Sequence, residues 1–218
     1  MGEFATRDPA TPAFWDERYR AGFTPWDARG VPAALTRFIE SSSPGRRVLV
    51  PGCGSAYEAG YLDALGFEVT AIDIAPAALA RAREVLGDAV ADRVLMQADL
   101  FTLDLAVDWI YERALLCALP YRLWSDYAGA VRRLLRPGRL LAGFFYIHQE
   151  ADEPRRGPPF PAHRAEIDGL FADGFRCEVD QEVPEDQSIP VFARHERWMV
   201  WQRGDAGTGA PIGAPEKR

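Results

Sequence analysis

The chain reads as an open α/β fold, a mostly parallel sheet with helices on both faces, and three observations carry that reading. Val48, Leu49 and Val50 form a continuous apolar run of the kind a buried parallel strand requires, and Pro51-Gly52-Cys53-Gly54 follows as a tight turn into a helix. Glu68 to Asp73 is a second strand that ends in a carboxylate, about 20 residues beyond the glycines, where nucleotide-binding α/β folds hold ribose hydroxyls. Segments of helical spacing then alternate with further strands, the order that builds a parallel sheet.

The glycine turn is the centre of this plan. A side chain there would hold a ligand away from the backbone, and the helix N-terminus beyond it offers unpaired N–H groups. Gly52 and Gly54 are therefore candidate binding positions and Asp73 the candidate ribose ligand, with Ile74 beside it. Two glycines after a strand also occur in ordinary βα turns, so the acid at Asp73 is what moves the reading toward a nucleotide.

Bulk properties narrow the classes. At 218 residues one domain with an arm and a tail is expected, with residues 1–30 as arm, 31–202 as domain and 203–218 as a disordered tail. A net charge of -7 and a pI near 5.1 argue against a nucleic-acid surface, because Arg46-Arg47, Arg132-Arg133 and Arg155-Arg156 are pairs and form no basic stripe. No apolar run approaches a membrane span, and Met1 to Pro12 lacks the apolar core of a secretory leader. Cys53, Cys117 and Cys177 are odd in number and far apart, which fits a reducing cytoplasm; with His148, His163 and His195 equally scattered, no metal site is expected. The expectation is a cytoplasmic monomer.

In chain order, Phe14, Trp15, Tyr19, Phe23 and Trp26 make an aromatic arm. A helix from about Pro12, ended by Thr24-Pro25, would carry Trp15, Tyr19 and Phe23 on one face, either capping the core or closing as a lid over a ligand. Helices are expected over Val31 to Glu40, Ala56 to Leu65 (stopped by Gly66) and Ala75 to Leu86 (stopped by Gly87). Val94 to Asp99 reads as a third strand and Val107 to Tyr111 as a fourth, running into Glu112-Arg113. Asp73, Asp99 and Glu112-Arg113 would then share the carboxyl edge of the sheet. Leu123 to Leu135 reads as a helix, Arg136-Pro137-Gly138 as a turn and Leu140 to Ile147 as a fifth strand. Gln149 to Pro161 is a loop near the expected site, Ala165 to Ala172 a helix, and Arg176 to Val183 and Arg194 to Trp201 two late strands.

This succession resembles the class I S-adenosylmethionine-dependent methyltransferases, which implies a seven-stranded Rossmann-like sheet with an antiparallel C-terminal strand. Tyr57 stands where a dinucleotide-binding Gly-x-Gly-x-x-Gly needs its third glycine. Within that class Phe14-Trp15-x3-Tyr19, Thr24-Pro25-Trp26-Asp27, Val50-Pro51-Gly52-Cys53-Gly54, Arg113-x3-Cys117-Ala118-Leu119-Pro120 and Gly157-Pro158-Pro159-Phe160 resemble the thiopurine methyltransferase family, closest to its thiol, halide and thiocyanate branch. The resemblance runs from Phe14 to about Trp201.

It implies S-adenosylmethionine as cofactor, with Trp15, Tyr19 and Trp26 closing on it, Gly52 at its methionine part, Asp73 at the ribose, Asp99 and Leu100 flanking the adenine, and Arg113 near the methionine end. Arg113 or Tyr146 would hold a small anionic acceptor and Phe160 would wall its pocket. Tyr19 stands where the family often has Trp, and Asp73 where the thiopurine enzymes have Glu. The function implied is methylation of a small soft nucleophile, a thiol, hydrosulfide, halide or thiocyanate. The competing readings are a thiopurine-type or other small-molecule methyltransferase, an NAD(P)-binding oxidoreductase, and a silent cofactor-binding module.

Overall fold

A computed structural model describes residues 4–148, 157–192 and 194–204 of the chain. The N-terminal arm carries α1 (Pro12–Arg20), and α2 (Ala33–Ser41) leads into β1 (Arg47–Pro51). Then follow α3 (Tyr57–Ala64), β2 (Glu68–Asp73), α4 (Pro76–Leu86), α5 (Asp88–Val94), β3 (Leu95–Gln97) and β4 (Val107–Arg113). The second half adds α6 (Trp124–Leu134), β5 (Leu135–Tyr146), α7 (Arg164–Phe171), β6 (Phe175–Glu182) and β7 (Glu196–Arg203). The seven strands form one sheet in the order β3-β2-β1-β4-β5-β7-β6. Strands β1 to β5 are parallel, and β7 alone runs against its neighbours β5 and β6.

Both faces of the sheet are buried, which is why the inner strands are largely apolar, as in Val48-Leu49-Val50 of β1 and Trp109-Ile110-Tyr111 of β4. Alternate residues of a strand point to opposite faces, so Leu49, Ile72, Ile110 and Leu141 join the core under α6 and α7. Val48, Val50, Ala71, Trp109 and Ala142 join the core under α2 and α3. The strand order reverses at β1, between β2 and β4, and that point opens a crevice at the carboxyl ends of the strands.

Several boundaries differ from the sequence reading. Helix α1 ends at Arg20, before Thr24-Pro25, because Gly22 takes the left-handed conformation at φ 65° and Phe23 N–H reaches back to the Arg18 carbonyl at 2.9 Å. Gly87 ends α4 and also opens a helix the sequence reading lacked, α5, whose Arg93 pairs with Asp63 at 2.6 Å. That helix takes Val94, so the third strand shrinks to Leu95–Gln97 and Asp99 lies in the loop after it. Arg136-Pro137-Gly138 does not precede β5 but interrupts its pairing. Leu135 faces Val107 and Leu140 faces Trp109, so the residues between them bulge out of register. Arg203, taken as the start of the tail, is the last residue of β7; residues 205–218 and most of the expected loop after β5 lie outside the described residues.

Candidate active site

The crevice is a cavity of about 850 Å³ walled by the arm, the glycine turn, the ends of β2 and β4, and the 157–159 and 189–192 segments. Its floor is the turn after β1. Gly52, Gly54 and Ala56 all have positive φ, at 62°, 52° and 58°, a tight winding ahead of α3 in which Cys53 N–H reaches the Ile72 carbonyl at 2.9 Å and Ala56 N–H the Cys53 carbonyl at 2.8 Å. A Cβ on Gly54 would lie 2.6 Å from the Tyr19 hydroxyl, so the absent side chain is what lets the arm approach the turn.

Asp73, the last residue of β2, turns its carboxylate back to this floor and accepts N–H groups from Gly54 at 3.1 Å and Ala75 at 2.9 Å. Burial pushes its pKa up to about 6 although the surrounding backbone N–H groups pull it down. Ile74 lines the same wall. Across from it lie Asp99, exposed at the rim with its carboxylate accepting Phe101 N–H at 2.9 Å, and the buried Leu100.

The arm closes the cavity from above, with Trp15, Tyr19 and Trp26 in its wall. Trp26 stands edge-on to Trp15, with ring centroids 5.4 Å apart, and donates its indole N–H toward the Tyr19 oxygen at 3.4 Å. Three carboxylates tie the arm to the body. Asp16 accepts Ala77 N–H at 2.7 Å in the first turn of α4, Asp27 accepts the Ser55 hydroxyl at 2.6 Å, and Asp8 pairs with Arg122 at 2.8 Å.

Arg113 ends β4 under the turn. Its guanidinium lies 4.0 Å over the Phe144 ring, Nη2 is 3.9 Å from the buried Glu196 carboxylate, and Nη1 is buried without a hydrogen-bond partner. Burial disfavours its charge, yet Tyr111, Glu196 and Glu58 outweigh that and raise its pKa. A guanidinium in a cavity wall suits a carboxylate or another anion. The neighbouring Glu112 is not in the site. Alternation along β4 turns it into the core, where it accepts N–H from Leu115 at 2.8 Å and Leu116 at 3.0 Å and the Tyr127 hydroxyl at 2.5 Å. Of the expected row, Asp73, Asp99 and Arg113 line the cavity and Glu112 does not, while Glu58, absent from that expectation, faces it from the first turn of α3.

Two expected acceptor residues do not line the cavity. Tyr146 lies behind Cys117 and Phe192, its hydroxyl 2.6 Å from His148 Nε2, since the end of β5 packs against the 189–192 segment. Phe160 is folded back onto Gly157, where a Cβ would lie 2.5 Å from the ring, and stacks edge-on to Tyr121. The wall at those places is made by Gly157, Pro158, Pro159, Ile189, Phe192 and Cys117. Burial pushes the Cys53 and Cys117 thiols well above the ordinary range, so both are neutral rather than nucleophilic thiolates. Among the described lining residues there is no histidine or lysine.

The thiopurine S-methyltransferase family model matches residues 10–204, nearly the whole described chain. The chain belongs to that family. The thiopurine S-methyltransferase of Vibrio cholerae serotype O1 is 33% identical over 82% of this chain and 87% of its own length. Thiocyanate methyltransferase 1 of Brassica oleracea is 28% identical over 87% of this chain and 84% of its own. Among solved structures, the 1,6-didemethyltoxoflavin-N1-methyltransferase of Burkholderia thailandensis, with S-adenosylhomocysteine bound, superposes with a TM-score of 0.67 at 21% identity, covering 94% of both chains, and shares the fold. The family member described here is thus an S-adenosylmethionine-dependent methyltransferase, which sets aside the oxidoreductase reading. Its residues fit that cofactor: Arg113 in the cavity wall for a carboxylate, a positive-φ glycine turn that the ligand can approach closely, and a carboxylate at the end of β2.

Proposed function

We propose that this methyltransferase acts on a small soft nucleophile: a thiol, hydrosulfide, halide or thiocyanate. The observation that carries the reading is the chemistry of the cavity wall, which holds Arg113 and an apolar stretch of Pro158, Pro159, Ile189 and Phe192 and, among the described residues, no histidine or lysine. An ionised thiol or a halide needs no general base, and a dry, apolar wall favours weakly hydrated anions over hard ones. Names among its relatives, thiocyanate methyltransferase and probable thiol methyltransferase, lie in the same chemical range.

When bound, the cofactor supplies a methyl group on a positively charged sulfur, activated for in-line displacement. The protein then has to align and to exclude water. In this reading Asp73 holds the ribose hydroxyls, Ile74, Asp99 and Leu100 flank the adenine, and the missing side chains of Gly52 and Gly54 let the methionine part approach the turn. Arg113 takes a carboxylate or the acceptor anion, and Trp15, Tyr19 and Trp26 present aromatic faces that favour a cationic donor. The enzyme works as a cytoplasmic monomer.

The test is turnover with labelled S-adenosylmethionine against hydrosulfide, iodide, thiocyanate, a small thiol and a thiopurine, beside an amine and a sugar. Methylation at sulfur or halide is expected, with thiol rates rising toward the thiolate pKa of ~8.5. Activity confined to oxygen or nitrogen acceptors refutes the proposal.

A further inference from the structure

Glu196 is the first residue of β7 and is 3% exposed, yet it is not in the cavity wall. One of its carboxylate oxygens is saturated by the acceptor segment, accepting the Ser188 hydroxyl at 2.6 Å and Ile189 N–H at 2.8 Å. The other faces Arg113 Nη2 at 3.9 Å, longer than the 2.7–2.9 Å of a charge-assisted hydrogen bond. One buried carboxylate therefore touches both the arginine at the cofactor end and the segment that carries Ile189 and Phe192. The same side chain lines the cavity and is 11% exposed, so an anion can meet it there. A guanidinium carries five donors and can hold two carboxylates at once, and an anion on its cavity side immobilises the rest of the group.

We propose that Glu196 is a positioning residue that couples the two ends of the site: an anion on the cavity side of Arg113 fixes the guanidinium, which holds Glu196, which in turn tightens the 188–192 wall against the acceptor. This rests on the reading of Arg113 as the partner of the cofactor's methionine carboxylate. It makes the acceptor pocket complete only after the cofactor is bound, so that cofactor binds first.

The test is hydrogen exchange at the amides of 185–192 in the full chain, with and without saturating S-adenosylhomocysteine, beside calorimetry of the same ligand. In the wild type the ligand should slow exchange there by about ten-fold. Glu196→Gln keeps an oxygen for Ser188 and Ile189 but presents no charge to Arg113. It should bind S-adenosylhomocysteine about ten-fold more weakly, a change of ~1.4 kcal/mol, and at saturation should slow the segment by less than about two-fold. Ser188→Ala loosens the segment but leaves Glu196 facing Arg113, so its affinity for the ligand should stay within about two-fold of wild type. A residue that merely stabilised the fold would lower the melting temperature and leave the ligand-dependent slowing intact. Glu196→Gln with wild-type affinity or wild-type slowing overturns the proposal, as does a wild type that binds the ligand without slowing. A wild type that does not bind S-adenosylhomocysteine at all refutes the cofactor reading itself.

Discussion

Asp73 gives the sharpest prediction because its two roles depend on pH with opposite sign. Its carboxylate is anchored by Gly54 and Ala75 N–H groups at the cavity floor, and burial raises its pKa from 3.8 to about 6. Replacing it by Asn removes a charged acceptor for the ribose diol. Hydrogen bonds to charged groups contribute ~1.5 to 3 kcal/mol, so Asp73→Asn should weaken S-adenosylhomocysteine binding roughly 10- to 150-fold. Only the ionised carboxylate accepts from both hydroxyls. At pH 5 roughly one-tenth of it is ionised, and wild-type affinity should be about ten-fold lower than at pH 8.

Stability of the free protein runs the other way. A folded-state pKa above the unfolded value means that Asp73 contributes most below pH 3.8, and that this contribution is lost as pH rises toward about 6. Between those values the ligand-free wild type should lose thermal stability relative to Asp73→Asn, while ligand affinity increases. Calorimetry and thermal melts of both proteins from pH 4 to 8 test this together. Equal affinity in the two proteins, or a wild-type affinity that does not change between pH 5 and 8, refutes the assignment of Asp73 to the ribose.

Three further outcomes are expected. Glu112 is fully buried and raised to about 7 by burial, against hydrogen bonds from Tyr127, Leu116 and Leu115; Glu112→Gln should therefore flatten the fall in melting temperature between pH 5 and 8 and gain about 1 to 3 kcal/mol of stability above pH 7, and an unchanged slope counts against it. Asp16→Ala removes the carboxylate that caps Ala77 N–H on α4, so it should cost ~1 kcal/mol and raise the KM for the cofactor by loosening the arm; a change in melting temperature alone would make the arm mere packing. Turnover should survive EDTA, since no cluster of three His, Cys, Asp or Glu side chains among the described residues is placed to hold a metal; loss restored by a divalent ion would reverse this.

What could be read from the sequence follows from the range of each interaction. The β1 turn, Asp73 and the apolar strands are dictated by local rules: continuous burial on both faces, glycine where φ is positive, an acid at a strand end. Boundaries failed where a single glycine did two jobs, as Gly87 does between α4 and α5, or where a turn signal fell inside a strand, as at Arg136-Pro137-Gly138. The family resemblance of Gly157-Pro158-Pro159-Phe160 points to Phe160 as a wall of the acceptor pocket, and Tyr146 offers a hydroxyl for an anion, yet neither lines the cavity. Which way they face is decided by Phe192 and Tyr121, which arrive from elsewhere in the chain. Glu58 carried a weak signal, an acid in the first turn of the helix after the glycines. Glu196 carried none: in sequence it is one more charged residue in an alternating strand.

That difference between the two ends of the cavity has a functional consequence. The cofactor end is built from positions the topology fixes: the strand-order reversal places the β1 turn, and β2 and β4 deliver Asp73 and Arg113 beside it. The opposite wall is built from segments outside the sheet, 157–159 and 189–192, tied by Phe160 N–H on the Cys117 carbonyl at 2.6 Å and Ile189 N–H on Glu196 at 2.8 Å, with Ile189 and Phe192 packed in a small cluster around Cys117. Substitutions there can reshape that wall without disturbing the sheet, so acceptor choice can change while the β1 turn stays constant. Relatives named for thiopurines and for thiocyanate each match more than four-fifths of this chain, and the side chains that separate them should lie in those two segments rather than along β1, β2 or β4.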